Sequence, residues 1–585
     1  MKNYSQLEKM RHSTAHLLAA AVLELWPDTK LGIGPVIEDG FYYDFDFEKA
    51  ITESDLEKIE KKMLDIKKRN LNFTRAEKTV TEAIKFNEKI SQPYKVELTK
   101  ELKDKGEKKV SFYETGNFID LCEGPHLENS KQIGSFKLTS LAGAYWRGNE
   151  KNKQLTRVYG TVWTDDKELK AYLTRLQEAK KRDHRLLGKE LGLFVNSDLV
   201  GKGLPMLTGK GATLRRVLER FIVDEEIKRG YEHVLTPPLA KVELYKTSGH
   251  YPYYKETMYP VMKVDEEELI LRPMTCPHHF MLYKAGLRSY RDLPLRLAEI
   301  SPQFRYEKSG ELSGLMRVRT FTLSDAHIFV APEGAKNEIK KVLDLIDFVN
   351  STLGLEKGKD YRYRLSLGDR GEESKYFKDD VAWEKAEKTL REVLQETKAP
   401  FFEAENEAAF YGPKIDVQIK NVLGKEETAF TVQYDFVMPR RFNLEYIDEK
   451  GKAQQPIVIH RSSVGALERT MAFLIEHYGG DFPLWLAPIQ VELIPIAERH
   501  LEYAEKVKGH LQDSSLRVEV NSKNETMQAK IREAELQKIP YLFVLGDREQ
   551  AQQTVSVRSK GSKELKVLTI SEAATQLQKE VSERK

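Results

Sequence analysis

The chain has 585 residues, a formal net charge of +3 and a mean hydropathy of −0.54. At roughly 100 to 200 residues per domain this length predicts several domains, and no stretch approaches the ~20 apolar residues that a membrane-spanning helix needs. The two cysteines exclude a disulfide framework and favour the reducing cytoplasm. The small net charge neither requires nor excludes a nucleic-acid partner.

Residues 1–195 begin with a helical stretch, continue through strand-like segments such as GFYYDFDF and TRVYGTVW, and end in a helical pattern over 167–193. This last pattern contains AKKRDHRLLGK, in which basic side chains crowd together. Such a run fits either a solvated linker helix or a connector that contacts phosphates, and the sequence leaves both open.

Residues 196–485 contain short β-rich runs, among them LRLAEI, FTLSDAHIFV and KIDVQI, that are bounded by turn residues. Several are separated by loops rather than by helices, which favours a mainly antiparallel sheet. Residues 486–585 alternate strands and helices and predict a compact α/β unit. We therefore expect a multidomain chain of α+β and α/β class, divided near residues 195 and 485.

A first group of histidines and a cysteine lies in the N-terminal part. HSTAH places His12 and His16 four residues apart on one helix face, and CEGPH places Cys122 and His126 four apart in a turn. These side chains could bind zinc, could relay protons and orient a substrate, or could be ordinary structural histidines. Spacing alone does not decide between these interpretations.

A second group follows in the central part of the chain. Cys276 lies in RPMTCPHH, His327 in SDAHIF and His460 in VIHRSS, all in segments that we interpret as β-rich. One thiolate and two imidazoles match a catalytic zinc site whose fourth position is open. His278 and His279 are alternative ligands in the first segment.

Arginine-rich motifs surround this second group. FRYEKSGELSGLMRVRTF supplies guanidinium groups for phosphates, including Arg317 and Arg319, and in Phe321 a ring that can stack on a base. GALERT places Arg469 near a predicted helix start, and RGYEHVLTPP ends a helix and opens a strand. Each motif alone is also compatible with a surface cluster of ion pairs.

Taken together and in this order, the motifs resemble the class II aminoacyl-tRNA synthetases and, among them, the threonyl-tRNA synthetase family. RGYEHVLTP is similar to the first class motif, which implies a homodimer interface, and FRYE through RVRTF and GALERT resemble the second and third. HSTAH and CEGPH resemble the editing domain of the family, and the C-terminal unit resembles its anticodon-binding domain. The resemblance thus covers nearly the whole chain.

The resemblance implies an ATP site. Arg305 would hold the α-phosphate and the amino-acid carboxylate, and Glu307 would accept a hydrogen bond from the adenine amino group. Arg317 and Arg469 would hold the distal phosphates, and Phe321 would stack on adenine. Adenylate formation is an in-line attack stabilised by cations, and Mg²⁺ would accompany ATP.

The resemblance also implies how the amino acid is chosen and transferred. A zinc ion on Cys276, His327 and His460 would bind the amino and hydroxyl groups of threonine, so that valine loses a ligand bond. Asp325 would accept a hydrogen bond from that hydroxyl, and His250 would assist transfer to the terminal ribose of the tRNA. Further substrate contacts are expected from Tyr411, Lys414 and Gln433.

Serine keeps the hydroxyl group and lacks only a methyl, a difference of roughly 1 to 3 kcal/mol in a pocket. A second, hydrolytic site is therefore expected, and the resemblance implies that it needs no metal. Its expected residues are His12, His16, Lys95, Asp120, Cys122 and His126.

In the C-terminal unit, the positions that match anticodon-reading residues are Asn524, Glu549 and Arg558. The implied partners are tRNA(Thr), ATP and L-threonine. A synthetase-like RNA-binding protein without activity would be expected to lose the arginines or the zinc ligands, which this sequence retains. A stand-alone HxxxH metallohydrolase would leave residues 196–585 without a role.

Overall fold

The structure is a computed structural model, and it describes residues 4–372, 375–562 and 564–584. The chain divides into two compact units, Met1–Gln177 and Glu178–Lys585. Among the helices in the described ranges, none combines the length and apolar character needed to cross a membrane.

The first unit is built from helices and short strands. In chain order its elements are α1 (Gln6–Leu25), β1 (Lys30–Leu31), β2 (Val36–Ile37), β3 (Gly40–Asp46), α2 (Asp55–Lys68), β4 (Thr74–Thr79), α3 (Val80–Lys89), α4 (Pro93–Asp104), β5 (Lys109–Thr115), β6 (Phe118–Leu121), β7 (Ser135–Tyr145) and β8 (Gln154–Trp163). Helix α5 (Asp166–Arg182) begins in this unit and ends in the second.

Helix α1 is the centre of the first unit. It begins with a capping box in which Ser5 and Glu8 each bond the backbone N–H of the other, as is common at helix starts. Its segment 15–22 is buried, and the helix packs on α2 and on the antiparallel sheet β1-β3-β8-β7. A second sheet, β4-β5-β6, completes the unit. Burial of α1 places His16 inside the unit, whereas His12 is partly buried.

The central part of the second unit begins after α5. Its elements are α6 (His184–Glu190), β9 (Phe194–Val195), β10 (Met206–Leu207), α7 (Gly209–Lys228), β11 (Glu232–His233), β12 (Leu239–Lys241), α8 (Val242–Ser248), α9 (His250–Tyr253), β13 (Met262–Val264), β14 (Glu267–Leu271), α10 (Cys276–Lys284), β15 (Leu295–Phe304), β16 (Thr320–Val330), α11 (Ala335–Thr352), β17 (Tyr361–Ser366), α12 (Asp380–Glu396), β18 (Phe401–Ala404), β19 (Lys414–Lys420), β20 (Glu426–Asp435), α13 (Met438–Arg441), β21 (Tyr446–Ile447), β22 (Ala453–Gln454), β23 (Ile457–Ala466) and α14 (Leu467–Tyr478).

The large sheet of this part has the strand order β11-β15-β16-β23-β20-β19-β17-β18. Its pairs are antiparallel except for β11 with β15 and β17 with β18. The register sets His327 opposite His460, and His460 opposite Gln433 on its other side. Side chains from strands far apart in the sequence therefore meet on the sheet.

The C-terminal part of the second unit contains β24 (Val491–Pro495), α15 (Leu501–Asp513), β25 (Val518–Val520), α16 (Met527–Leu536), β26 (Tyr541–Leu545), α17 (Asp547–Gln552), β27 (Thr554–Ser559), β28 (Lys566–Thr569) and α18 (Ile570–Ser582). Its sheet has the order β25-β24-β26-β27-β28, with parallel pairing around β24 and antiparallel pairing beyond β26. Leu493 and Phe543 are buried between this sheet and its helices. The α/β prediction for this region is confirmed.

Two details of the sequence interpretation were wrong. Cys276 is the first residue of helix α10 rather than part of a strand, because Pro277 sits at the helix start, where its missing N–H costs nothing. The helix predicted over 167–193 is interrupted at Asp183, whose side chain caps α6 by accepting a hydrogen bond from the Arg185 backbone N–H at 2.8 Å.

Candidate functional site

A cavity of about 430 Å³ lies on the large sheet of the second unit. It is lined by side chains from β15, β16, β19, β20 and β23 and from the starts of α9 and α10. The sequence-predicted residues that line it are His250, Cys276, Arg305, Asp325, Tyr411, Lys414, Gln433 and His460. The fold thus brings predicted residues from seven separate segments to one place.

Cys276, His327 and His460, which we call the central cluster, have ligand atoms within 4.8 Å of one another. The Nε2 atom of His327 is buried and has no hydrogen-bond partner among the described residues. The Nε2 atom of His460 lies 2.7 Å from Asp435 Oδ2. Metal-binding histidines usually pair their second nitrogen with a carboxylate or another polar group in this way.

The second ring nitrogen of His327, Nδ1, has a partner. His327 Nδ1 lies 2.9 Å from His279 Nδ1, and His279 Nε2 lies 3.3 Å from Glu299 Oε2. Burial raises the pKa of Cys276 and lowers the pKa of His327, so the buried donors carry no positive charge of their own. A neutral imidazole with an unsatisfied nitrogen beside a thiol fits Zn²⁺, which stabilises the thiolate.

Asp325 and Tyr411 face the same cavity. Asp325 is buried, which raises the pKa of its carboxyl group, and Gln303 Nε2 lies 3.5 Å from its Oδ2 atom. The Tyr411 ring stacks on His460 with 5.1 Å between centroids, and its hydroxyl donates to Gln433. Lys414 Nζ is held 3.0 Å from Asp416 Oδ1. These groups offer both donors and acceptors to a small polar ligand.

Arg305 enters the cavity from the end of β15. Its Nε atom donates to the Pro273 carbonyl at 3.2 Å, its Nη2 atom donates to Gln303 Oε1 at 3.3 Å, and its guanidinium group lies 5.1 Å from the centroid of the Phe321 ring. Burial lowers the pKa of Arg305, although the nearby Glu307 carboxylate opposes this effect. A guanidinium group held in this way is oriented before any phosphate binds.

A neighbouring cavity of about 490 Å³ contains the other two predicted phosphate-binding arginines, Arg317 and Arg469. Arg317 Nη2 lies 2.7 Å from Glu307 Oε2, and Arg469 Nε donates to the Met316 carbonyl at 3.2 Å. The two cavities share Ala429 and Phe430. The three arginines therefore border adjoining spaces, whereas Glu307 and Phe321 line neither.

His250 is buried at the start of α9 and lines the cavity of Cys276 and His460. Its Nδ1 atom lies 2.8 Å from the Ser248 hydroxyl oxygen, and its ring contacts those of Tyr254 and Phe410. Burial lowers the pKa of His250 to about 3. The ring is therefore neutral near pH 7.

In the first unit, His12, His16, Cys122 and His126 form what we call the N-terminal cluster, with ligand atoms within 4.8 Å of one another. Cys122 Sγ lies 3.2 Å from His12 Nε2 and 3.3 Å from His126 Nε2. The second nitrogens of these two histidines are engaged too, because His12 Nδ1 lies 3.2 Å from the Pro125 carbonyl and His126 Nδ1 lies 3.2 Å from the Ser13 hydroxyl oxygen. His16 Nδ1, in contrast, is buried without a hydrogen-bond partner among the described residues.

Burial sets the protonation of the N-terminal cluster. It raises the pKa of Cys122 to about 12 and lowers the pKa of His126 to about 2. Burial also lowers the pKa of His12 and His16. Near pH 7 the cluster is a neutral thiol among neutral rings.

Lys95 and Asp120 adjoin this cluster, as predicted neighbours, and both are buried. Lys95 Nζ lies 2.6 Å from Asp120 Oδ1, and Asp120 Oδ2 lies 4.0 Å from His16 Nε2. The Tyr43 hydroxyl bridges the pair, since it accepts from Lys95 at 3.1 Å and donates to Asp120 at 2.5 Å. The neutral rings of the cluster therefore lie beside one buried ion pair, whose groups are held in place by hydrogen bonds.

Cys122 also lines a cavity of about 480 Å³ in the first unit. The basic side chains around this cavity are Arg75, Lys105, Lys109 and Arg147. Four acidic side chains line it as well, Glu77, Glu101, Glu107 and Glu123, and Arg75, Lys109 and Arg147 form ion pairs with two of them, so the rim has no excess of basic charge.

The three residues predicted to read the anticodon are placed differently from one another. Asn524 is exposed between β25 and α16. Glu549 accepts hydrogen bonds from the Gly546 backbone N–H and the Ser556 hydroxyl, and Arg558 donates to Glu535 Oε1 at 2.5 Å. Glu549 and Arg558 therefore make contacts within the protein that an RNA base would have to replace or share.

Sequence reasoning missed three residues of these sites. Gln303, which contacts both Arg305 and Asp325, is two residues before Arg305 on β15, so strand alternation could have identified it. Asp435 could have been found in the same way from Gln433. Tyr43 has no local signal, because its partners lie 52 and 77 residues away in the sequence.

Comparison with known families agrees with this geometry. The tRNA synthetase class II core domain (G, H, P, S and T) matches residues 259–478, and the anticodon binding domain matches 490–580. The threonyl and alanyl tRNA synthetase second additional domain matches 110–159. The fold and the central cavity thus define a class II aminoacyl-tRNA synthetase.

Individual relatives narrow the family. The chain is 52% identical to the threonine–tRNA ligase of Geobacillus sp. (strain WCH70), over 98% of this chain and 89% of the relative. It is 51% identical to that of Listeria monocytogenes serotype 4a (strain HCC23), again over 98% and 89%. The crystal structure of the RNA binding domain of threonyl-tRNA synthetase from Cryptosporidium parvum Iowa II is 36% identical, with a TM-score of 0.65, and covers 68% of this chain and 98% of that chain.

The chain belongs to the threonine–tRNA ligase family. The resemblance inferred from the motifs, the multidomain fold class and the interpretation as an aminoacyl-tRNA synthetase are confirmed.

Proposed function

We propose that the chain attaches L-threonine to tRNA(Thr) through a threonyl-adenylate, selects threonine with zinc, and hydrolyses mischarged seryl-tRNA(Thr). The observation that carries this proposal is the convergence of Cys276, His460, Asp325 and Arg305 on one cavity. Two metal donors, an acceptor for a hydroxyl and a cation for a phosphate are the groups that this reaction requires.

Cys276, His327 and His460 would hold the zinc ion, and the free Nε2 of His327 supports this assignment. When bound, zinc supplies a Lewis acid that prefers an amino alcohol to its methyl isostere. Asp325 accepts a hydrogen bond from the threonine hydroxyl, and Tyr411 forms the part of the cavity wall next to His460. Valine lacks the hydroxyl group, so it loses one bond to the metal and the hydrogen bond to Asp325, and an unpaired buried polar group costs binding energy.

For adenylate formation we propose that Arg305 orients the threonine carboxylate against the α-phosphate of ATP. A carboxylate oxygen attacks phosphorus, and the bond to the β-phosphate breaks, so that pyrophosphate leaves. Arg317 and Arg469 hold the distal phosphates, Mg²⁺ accompanies ATP, and Phe321 and Glu307 bind adenine. Preorganised cations stabilise the charge of the transition state without reorganising.

For transfer, we propose that His250 accepts the proton of the terminal ribose hydroxyl. The hydroxyl oxygen attacks the carbonyl of the adenylate, and AMP leaves. The low pKa of His250, about 3, keeps the ring unprotonated before each turnover. Lys414 and Gln433 line the same cavity and contribute substrate contacts.

For editing, we propose that the N-terminal cluster binds the seryl ester and a water molecule without a metal. Water attacks the ester carbonyl, the bond to the ribose oxygen breaks, and serine and tRNA(Thr) leave. His12 and His126 support this role because their nitrogens already contact Cys122, Pro125 and Ser13, which leaves them little capacity for an ion. Lys95 and Asp120 keep the charges around the ester fixed.

We further propose three structural features of the whole protein. The division at 1–195, 196–485 and 486–585 separates editing, catalysis and anticodon recognition, the last through Asn524, Glu549 and Arg558. The segment RGYEHVLTP forms part of a homodimer interface. Two free cysteines favour the cytoplasm, where thiols stay reduced.

Pyrophosphate exchange with threonine, serine and valine tests the central proposal. We expect exchange with threonine, weaker exchange with serine, and little with valine. Exchange driven only by an amino acid other than threonine would refute the proposal. Metal analysis of the whole protein should find one zinc ion per chain.

A further inference from the structure

His184 is a buried histidine to which the proposed mechanism gives no role. It is the first residue of α6, immediately after the interruption at Asp183, and only 2% of it is exposed. It belongs to the motif AKKRDHRLLGK, which the sequence left as either a solvated linker or a phosphate-contacting connector. A surface linker would not bury this imidazole.

Both ring nitrogens of His184 are used. The Leu315 backbone N–H donates to Nε2 at 3.1 Å, and Nδ1 lies 2.7 Å from Glu476 Oε1. Because Nε2 accepts a hydrogen bond, Nδ1 carries the proton of the neutral ring and donates it to the carboxylate. The ring thus joins the loop between β15 and β16 to helix α14.

The loop is pressed closely onto this ring. A Cβ atom added at Gly314 would lie 2.2 Å from His184 Nε2, and Gly314 adopts φ +48°. A glycine is therefore required here both by the close approach and by the backbone conformation. Because residue 314 has no side chain, the backbone of the loop can contact the His184 ring.

The same loop carries Arg317, one of the two arginines of the second cavity, and contacts the other, Arg469. The Ser313 carbonyl accepts hydrogen bonds from the backbone N–H groups of Met316 and Arg317, which closes a tight turn. Arg469 Nε then donates to the Met316 carbonyl. Arg469 and Glu476 lie seven residues apart on α14, about two helical turns, so they share a face of the helix.

We propose that His184 is a positioning residue for ATP, which holds the turn 313–317 against helix α14 so that Arg317 and Arg469 meet the triphosphate. It touches no substrate itself and acts through Leu315 and Glu476. The proposal rests on the assignment of the two arginines to ATP in the proposed function. It explains why a buried histidine borders the cavity that contains both arginines.

The test is pyrophosphate exchange with the His184→Ala variant of the whole protein. We expect KM for ATP to rise about tenfold, the scale of one lost hydrogen bond that involves a charged group, while KM for threonine stays unchanged. Direct titration with a non-hydrolysable ATP analogue, without amino acid, should show the same loss of affinity.

Substitutions of Glu476 distinguish the effect of the hydrogen bond on ATP affinity from the effect of side-chain packing. Glu476→Gln retains an oxygen that can accept the Nδ1 proton and should restore most of the affinity for ATP, whereas Glu476→Ala should resemble His184→Ala. The double variant His184→Ala/Glu476→Ala should be no worse than either single variant, because both remove the same link.

His500 offers a matched control. It is also buried, with Nδ1 accepting from the Ala497 backbone N–H at 3.1 Å and Nε2 lying 3.0 Å from Asp547. His500→Ala should leave KM for ATP unchanged. If His184→Ala lowers thermal stability but leaves KM for ATP and analogue binding unchanged, the positioning role is refuted. Failure of the proposed function would differ, because the unmodified protein would then lack threonine-dependent exchange.

Discussion

The N-terminal and central clusters are made from the same residue types but differ in the partners of their histidines. In the central cluster, His327 has a buried Nε2 without a partner among the described residues, and Asp435 and His279 engage the nitrogens on the outer side. In the N-terminal cluster, His12 and His126 have both nitrogens engaged.

A set of metal-ligand residue types is therefore not sufficient to define a metal site. A ligand nitrogen has to face the centre unoccupied, and a polar group behind the ring has to fix its orientation. The central cluster meets both conditions. In the N-terminal cluster, His12 and His126 instead direct their nitrogens at the cluster's own thiol, a hydroxyl and a backbone carbonyl, and only His16 Nδ1 is buried without a partner among the described residues. Two of its three histidines therefore lack an unoccupied nitrogen.

The largest difference between the two clusters is expected when the cysteine of each is replaced by alanine. Cys276→Ala should lose the zinc and lower threonine activation by about a thousandfold, because a fixed electrostatic stabiliser is removed. Cys122→Ala should change neither zinc content nor activation. Zinc analysis and pyrophosphate exchange on the two variants measure this, and equal zinc loss in both would abolish the distinction between the clusters.

A smaller effect is expected for hydrolysis. His12→Ala should slow the deacylation of seryl-tRNA(Thr) by about a hundredfold, the usual scale for a group that assists proton transfer, while threonine activation is retained. Mischarged product should then accumulate in an aminoacylation assay with serine. Unchanged deacylation would remove the N-terminal cluster from the editing reaction.

The next prediction compares zinc affinity after changing Asp435 and Asp120, the carboxylates beside the central and the N-terminal cluster. Asp435→Asn keeps an oxygen for the backbone N–H groups that Asp435 caps at Val437 and Met438, but it places an amide beside His460. We expect zinc affinity to fall about tenfold to a hundredfold in chelator competition. Asp120→Asn, the matched change beside the N-terminal cluster, should leave zinc affinity as it is.

The smallest effect concerns protonation of the N-terminal cluster. The pKa values of His12, His16 and His126 are lowered by burial, that of His126 to about 2. Below the ordinary value near 6.5 the unfolded chain binds more protons than the folded chain, so the free energy of unfolding falls with falling pH. Between pH 6.5 and 5.5 we expect a loss of about 1 kcal/mol for each of His16 and His126, and a smaller loss for His12.

Hydrogen exchange across residues 1–177, followed over that pH range, measures the loss. His510, which is exposed, provides the control, because His510→Gln should leave the pH dependence unchanged. A pH-independent first unit would mean that these histidines have the same pKa values in the folded and the unfolded chain.

Much of the architecture could be predicted because local patterns carry it. The helix with HSTAH, the strands GFYYDFDF and TRVYGTVW, and the alternation after residue 486 all follow from spacing and composition. The break at Asp183 and the helical start at Cys276 were missed, because a cap and a proline outweighed the periodicity around them.

The class of protein, the order of its motifs and most of the residue types that bear on its chemistry could be inferred from the amino-acid sequence, since these depend on side chains and their spacing. The folded chain was needed to learn which ring nitrogens have no partner among the described residues, which carboxylates contact the rings, and that His184 joins a loop to a distant helix. Hydrogen bonds between residues more than a hundred positions apart leave no local pattern, because they arise only when separate elements pack together.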